Sequence, residues 1–383
     1  MLPLRFRDRL PLLISIIFAT VLVAPLALYY QPSGCTLEIW SSQEKSKLLQ
    51  SLANSYNASG ADRPCSVSVD EVKSGTAEHA LATGWRAAGK PRPDVWSPAA
   101  STWAELFSQD VSQSSGQIAL PGTGTSIAHS PLVIAMPVQM ASAMGWPVRQ
   151  LAWADVLALG GQRNAWANLG HPEWGAFKLG QTDPTVSTSG LHAFIGIFSA
   201  AVEARDGNSL PAPLTTTDVS DPRVLDFVSG VESRVGHYTD TVATFTDQLR
   251  NAGDLTYVSA VAMEEQEVWS YNTTGDPKVR LAAIYPREGS LFADHPYLPL
   301  VAPWMDEAKR AAAAGFLGFV LSRAQQQSFQ KHGFRDGSVP YAVPDDTVIN
   351  QRNGLLPTQP AVTLSQPAPA VLQKIEQAWP SVH

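Results

Sequence analysis

Three stretches of the 383-residue chain share one design: a strand-like run, a Ser/Thr/Gly turn, then a helical run. They are Trp40-Ser41-Ser42, Lys73-Ser74-Gly75-Thr76 and Ser187-Thr188-Ser189-Gly190. Each places hydroxyls and free backbone N–H groups at a helix N-terminus, where anions and other polar ligands bind without a formal charge from the protein. Ser and Thr are also the preferred N-cap residues, so one such loop alone reads equally as an ordinary cap. Three in one chain point towards a polar ligand. Glu264, Glu265 and Glu267 follow a further apolar run, 255–261. If Glu264 or Glu265 met the same ligand, it would repel an oxyanion and favour a cation, an amine or a hydroxylated molecule. The alternative is a set of solvated glutamates stabilising a helix N-terminus.

Other chemistry finds no foothold. There is no Gly-x-Ser-x-Gly elbow, phosphate-binding loop or His-Glu-x-x-His pair, so the common hydrolase, nucleotide and zinc signatures are absent. His129, Ser130 and Asp183 have no spacing that suggests a catalytic triad. No catalytic residue, cofactor or metal is therefore expected. The two cysteines, Cys35 and Cys65, each directly precede a strand-like segment. If those strands lie parallel and adjacent, their starts are neighbours and a disulfide is easy; two unrelated thiols are the other reading. Two Cys without nearby His do not fill a tetrahedral zinc shell.

The elements that must position these residues alternate. Strand-like 37–40, helical 45–56, strand-like 67–72, helical 77–85 and strand-like 95–98 follow one another. That order means a parallel sheet covered by helices, whose strand carboxyl ends are the usual ligand sites. Further strands are expected at 131–137, 176–180, 255–261 and 279–285. Helices are expected at 153–159, 191–201, 224–235, 241–252, 263–271 and over a long region, 308–332. From 356 to 383 the chain is Pro- and Ala-rich and reads as a loose tail with a short helix near 372–379. Some 350 residues exceed one comfortable core, so two lobes are expected. The composition is 44% hydrophobic and 16% charged, and the net charge of −7 is spread without blocks. No basic patch suggests nucleic-acid binding.

Arg5, Arg7 and Arg9 precede an apolar run from 10 to 30, long enough for a membrane of ~30 Å and oriented to send the rest of the chain across. Residues 1–35 thus read as a transmembrane signal anchor or a cleaved signal peptide. A lipoprotein acylated at Cys35 is a third option, with Pro32 standing where such signals usually carry Leu. The main domain is expected outside the cytoplasmic membrane, or secreted if the signal is cleaved.

Four stretches resemble the bacterial extracellular solute-binding proteins of the type 2 periplasmic-binding fold, nearest the molybdate- and sulfate-binding-like group. They are Leu37-Glu-Ile-Trp-Ser-Ser42, Pro93-Asp-Val-Trp-Ser-Pro98, the loop from Gly180 through Asp183 to Gly190, and the helical region 316–334. The resemblance covers roughly 36–355. It implies an α/β, two-lobed fold: lobe one at 36–132 plus 284–355, lobe two at 133–283. The ligand would lie in the interlobe cleft, facing Ser41, Ser42, Ser74, Gly75, Ser97, Ser130, Thr182, Ser187, Thr188 and Ser189. Glu264 departs from the oxyanion binders at a position near the ligand. The function implied is capture of a small polar solute, an oxyanion, a cation or another polar molecule, for an ABC importer. An exported surface receptor or adhesion-type module reusing the fold is the alternative.

Overall fold

In the computed structural model residues 34–59, 63–112, 118–207, 212–337 and 347–382 are described. The apolar run 10–30 lies outside them; among the described residues no helix is long and apolar enough to cross a membrane.

Strand β1 (Thr36–Ser41), helix α1 (Gln43–Ala58), β2 (Ser66–Glu71), α2 (Ser74–Thr83) and β3 (Val95–Ser97) follow in the expected alternation. β1 pairs in parallel with both β2 and β3. Its side chains alternate between two cores: Leu37 and Ile39 pack with Leu49, Leu52 and Ala53 of α1, while Trp40 faces the opposite way. Thr36 is opposite Ser66, so the preceding cysteines are neighbours, and Cys35 and Cys65 form a disulfide with Cα atoms 4.7 Å apart. Mass spectrometry after alkylation without reduction should find neither thiol modified; two alkylated cysteines would contradict the bridge.

The chain continues through α3 (Thr102–Ser112), β4 (Thr125–Ser126) and the long strand β5 (Ala128–Pro137), buried along its whole length. Next come α4 (Val138–Ala143), α5 (Trp153–Gly160), α6 (Ala165–Asn168), β6 (Leu179–Thr182) and α7 (Thr188–Arg205). Then follow α8 (Pro222–Glu232), β7 (Val235–Thr239), α9 (Val242–Ala252), β8 (Ala260–Glu264), α10 (Glu265–Thr273) and β9 (Leu281–Ile284). The last part comprises β10 (Phe292–Ala293), β11 (Pro296–Pro299), α11 (Glu307–Val320), α12 (Arg323–Lys331), β12 (Arg335–Asp336) and α13 (Pro369–Val382).

Two sheets result. One is ordered β2-β1-β3-β11-β4; the other is ordered β10-β5-β8-β6-β7, with β9 and β12 also on β5. β5 is the hub. Its start pairs with β12 and β10, and its second half pairs antiparallel with β8 and β9. The cores are not fully separate, since Trp40, Trp96, Trp103 and Phe107 belong to the same apolar cluster as Phe194, Ile197 and Phe198 of α7.

Several elements differ from the sequence expectation. The strand expected at 255–261 is β8, starting at Ala260, because Asp254 accepts from Thr256 N at 2.7 Å and holds the preceding residues in a turn. Glu264 therefore closes a strand rather than following one. The helix expected at 224–235 ends at Glu232 and leaves room for β7, which pairs in parallel with β6. The long helical region 308–332 breaks into two at Leu321 and Ser322. The Pro/Ala-rich end is not loose over its last half. In α13, Val371, Leu372 and Ile375 are buried, and Trp379 meets Phe194 edge-on at 5.2 Å between centroids. The spacing 371, 375, 379 gives that helix an apolar stripe, which docks on α3 and α8.

Candidate functional site

The carboxyl ends of β1 and β3 are tied by a lysine that carries no exposed surface. Lys45 sits on the buried face of α1 with Leu49 and Leu52, at the i, i+4, i+7 spacing of one helix face. Its Nζ donates to Ser42 Oγ at 2.7 Å and to the Ser97 and Pro98 carbonyls at 2.9 Å each. Burial pulls its pKa down to about 8, against the opposing pull of Glu44, Glu264 and Asp294. Ser42 is thus not an ordinary cap: its hydroxyl makes no capping bond and serves the lysine instead. Ser41 Oγ donates to the Ser42 carbonyl at 3.2 Å, and Ser97 Oγ to the Pro296 carbonyl at 2.7 Å. Ser74 Oγ accepts from Ala99 N at 3.2 Å.

The second sheet presents its own hydroxyls to the same seam. Thr182 Oγ1 donates to Ser187 Oγ at 2.9 Å, and Ser187, at the start of α7, makes no side-chain cap either. Ser189 Oγ donates to Glu267 Oε2 at 3.1 Å, and the same oxygen accepts from Glu264 N at 2.9 Å, half of a capping box that starts α10. Ser130 Oγ accepts from Gln266 N at 3.1 Å.

Among the contacts that cross from one side to the other, four lie around the starts of α2, α3 and α7. Gly75 N donates to the Val186 carbonyl at 3.1 Å, and a Cβ at Gly75 would overlap the Thr185 carbonyl oxygen, so only glycine permits this approach. Trp103 Nε1 donates to Thr188 Oγ1 at 2.8 Å. Thr102 Oγ1 and His192 Nε2 are 3.1 Å apart, and burial holds His192 neutral by lowering its pKa to about 3. Lys73 and Asp240 form a salt bridge of 3.1 Å at the rim.

Glu264 and His295 form the most deeply buried titratable pair. Both are fully buried, with Glu264 Oε2 and His295 Nε2 at 3.2 Å. Burial pushes the Glu264 carboxyl well above its ordinary range, with Glu44 and Glu267 adding to the shift. Burial likewise holds His295 well below its ordinary value, with Lys45 adding to it. His295 adopts a left-handed backbone (φ 38°), a conformation costly for a residue with a Cβ. Glu267 is raised to about 8, chiefly by the surrounding protein and then by Glu44. Glu265 turns elsewhere, to Arg335 and Tyr285. All three glutamates are therefore engaged by the protein, and none is simply solvated.

The seam is narrow inside and opens outward. A cavity of ≈ 10 Å³ lies between Glu44, Lys73 and Ser74 on one side and Val186, Ser187 and Thr188 on the other. Space of that size holds about one water. A groove of ≈ 470 Å³ beside it is walled by α1 and by α9 and α10, with Glu44 and Glu267 among its residues. Among the described residues no group of three or more His, Cys, Asp or Glu could hold a metal ion.

A family model described as "Bacterial extracellular solute-binding protein" matches residues 37–335. The chain belongs to that family. The assignment rests on most of the chain, from β1 to β12, and this solute-binding family is one of binding proteins rather than enzymes. Solved structures share the two-lobed α/β fold at low identity. An ABC transporter substrate-binding protein from Bradyrhizobium japonicum USDA 110 is 14% identical, with TM-score 0.57 over 91% of this chain and 99% of that one. A periplasmic thiamin binding protein is 14% identical, with TM-score 0.58 over 91% and 95%. The sulfate-binding protein SubI from Mycobacterium tuberculosis H37Rv is 15% identical, with TM-score 0.51 over 79% and 87%. No curated protein matches the chain by sequence.

Sequence reasoning missed Lys45, Trp103, His192 and His295. Lys45 carried a signal, since it shares the spacing of the apolar face of α1. The others are brought in from distant parts of the chain, and nothing local marks them.

Proposed function

We propose that the protein captures a small polar solute in the cleft between its lobes, outside the cytoplasmic membrane, and delivers it to an ABC importer without transforming it. Lobe one is taken as 36–132 plus 284–355 and lobe two as 133–283. Ser41, Ser42, Ser74, Gly75, Ser97 and Ser130 would meet the solute from the β1, β3 and β5 side. Thr182, Ser187, Thr188, Ser189 and Glu264 would meet it from the side of β6, α7 and β8. Residues 1–35 would keep the protein at the outer membrane face as a signal anchor, or leave it free after cleavage as a signal peptide.

The observation that carries this reading is the polar seam. Hydroxyls at the start of α1 and α7 are not used as helix caps, and they lie buried where the two sheets' elements meet. Closing a cleft around a ligand is the ordinary gating motion of two lobes on crossover strands. The likeness to solved proteins named for thiamin and for sulfate supports the fold and leaves the solute open. A thermal-shift screen of the purified protein against oxyanions, amines, sugars, peptides and metal ions tests it. A true ligand at 100 times its Kd should add about 2.7 kcal/mol of stability. No shift with any class would count against a solute-binding cleft.

A further inference from the structure

We propose that helix α13 is a strap across the two lobes, gripping α3 of lobe one and α7 and α8 of lobe two, and that it holds the protein closed before any solute arrives. This rests on the two-lobed reading, and its test reads a distance rather than binding.

α13 lies beyond residue 335, where the family match ends. The chain reaches it along lobe one. Ser290 N donates to the Val362 carbonyl and Leu364 N to the Ser290 carbonyl, at 3.0 Å each. Ser101 Oγ, just before α3, donates to Gln366 Oε1 at 3.0 Å. α13 then packs against α3 and also, from lobe two, against α8 and the turn Asp218–Ser220. Lobe two holds its end: Trp379 meets Phe194 of α7 and Tyr238 of β7 edge-on, at 5.2 and 5.8 Å between centroids. Lys374 Nζ donates to Ser220 Oγ at 2.9 Å. Glu376 reaches the seam, lining a cavity of ≈ 510 Å³ with Gly75 and Glu78 of lobe one and Thr185 and Val186 of lobe two. α13 therefore runs along one margin of the seam.

The strap is apolar where it grips. Leu372 and Ile375 carry no exposed surface, and Val371 and Val382 carry little. They share one apolar cluster with Trp103 and Phe107 of α3 and with Val224 and Val228 of α8. A hinge motion that parts the lobes moves α3 away from α8. α13 can follow only one of them, so either its stripe or the face that it leaves is exposed to water, at a cost proportional to the apolar area. The hydroxyls and carbonyls of the seam exchange their hydrogen bonds for bonds to water at much smaller net cost. Apolar burial under α13 thus opposes opening more than the polar contacts of the seam do. The resting protein is the closed form, and solute entry waits on release of α13 from one lobe.

Double electron–electron resonance on the full chain tests the strap, with spin labels at Lys47→Cys and Asp247→Cys; the native cysteines are tied in the disulfide and take no label. Both positions are exposed and wall the same groove, Lys47 from α1 and Asp247 from α9. Without added solute, the distance between the labels should be single and narrow. Adding Lys374→Ala with Trp379→Ala, which loosens the grip on lobe two, should raise the population at longer distance roughly tenfold or more. Phe319→Ala is the control: it removes packing inside lobe one, where Phe319 meets Tyr56 at 5.2 Å, and should leave the distance as it is. A broad or long distance in the parent overturns the strap, and so does an unchanged distance in the double variant. An equal lengthening in Phe319→Ala overturns it too, since general loosening would then be the cause. If the double variant does not fold, Trp379→Leu, which keeps an apolar side chain, replaces it under the same criteria. A protein that opens freely and still binds a solute would remove the strap and leave the binding cleft standing.

Discussion

Replacing Glu265 by alanine will lower the stability of the fold by about 3–5 kcal/mol, the usual consequence of leaving one member of a buried ion pair alone. Arg335 Nε and Nη2 each donate to the Glu265 carboxylate at 2.8 Å, and Tyr285 Oη donates to it as well. Neither Glu265 nor Arg335 has appreciable exposed side chain. Burial works against the Arg335 charge and the carboxylate restores it. The pair joins the N-terminus of α10 to β12, the short strand paired antiparallel with the start of β5. Thermal unfolding of Glu265→Ala should show a melting temperature lower by roughly 5–15 °C. The double change Glu265→Leu with Arg335→Met should recover much of the loss, because it leaves no charge unpaired. A single variant as stable as the parent would show that the pair contributes little.

Gly75→Val will act on closure rather than on folding. The valine Cβ would overlap the Thr185 carbonyl oxygen, on the far side of a contact that glycine makes possible, and crowd the Trp103 ring on its own side. A backbone carbonyl cannot turn aside cheaply, so the two sides must separate. Overpacking of this kind costs about 2–3 kcal/mol, which corresponds to a loss of roughly 30- to 150-fold in affinity for any solute that requires the closed form. Gly190 gives the contrast. A Cβ there would meet the Thr182 carbonyl within the same lobe, so Gly190→Ala should lower stability without a selective effect on closure. Small-angle scattering and binding measured together distinguish the two. An affinity unchanged in Gly75→Val would show that the Gly75–Val186 contact is not part of the bound state.

The α/β alternation, the parallel start and the disulfide were legible because each depends on local spacing. Trp40 and Val69 read as strand residues from their immediate neighbours, and the two cysteines inherit their geometry from the strands that follow them. The serine-rich turns at 41–42, 74–76 and 187–190 were legible for the same reason. β7 and the position of β8 were not. A strand such as Val235–Thr239 is defined by its neighbour β6, which lies more than fifty residues away, and the start of β8 is set by a turn at Asp254.

By itself the sequence determined the class of protein: alternating strands and helices, polar turns at strand ends, a pair of cysteines in register and a basic-then-apolar N-terminal run. Those are short-range facts that spacing encodes directly. Only the tertiary structure decided the electrostatics of the seam. Lys45 of α1, Glu264 of β8, Glu267 of α10 and His295 come from separate parts of the chain, and their protonation follows from how much water each one loses and which charge it meets. Desolvation is a property of the assembled fold, which is why three neighbouring glutamates in the chain end with different tasks: Glu265 holding Arg335, Glu267 capping α10 and Glu264 facing His295 at the seam.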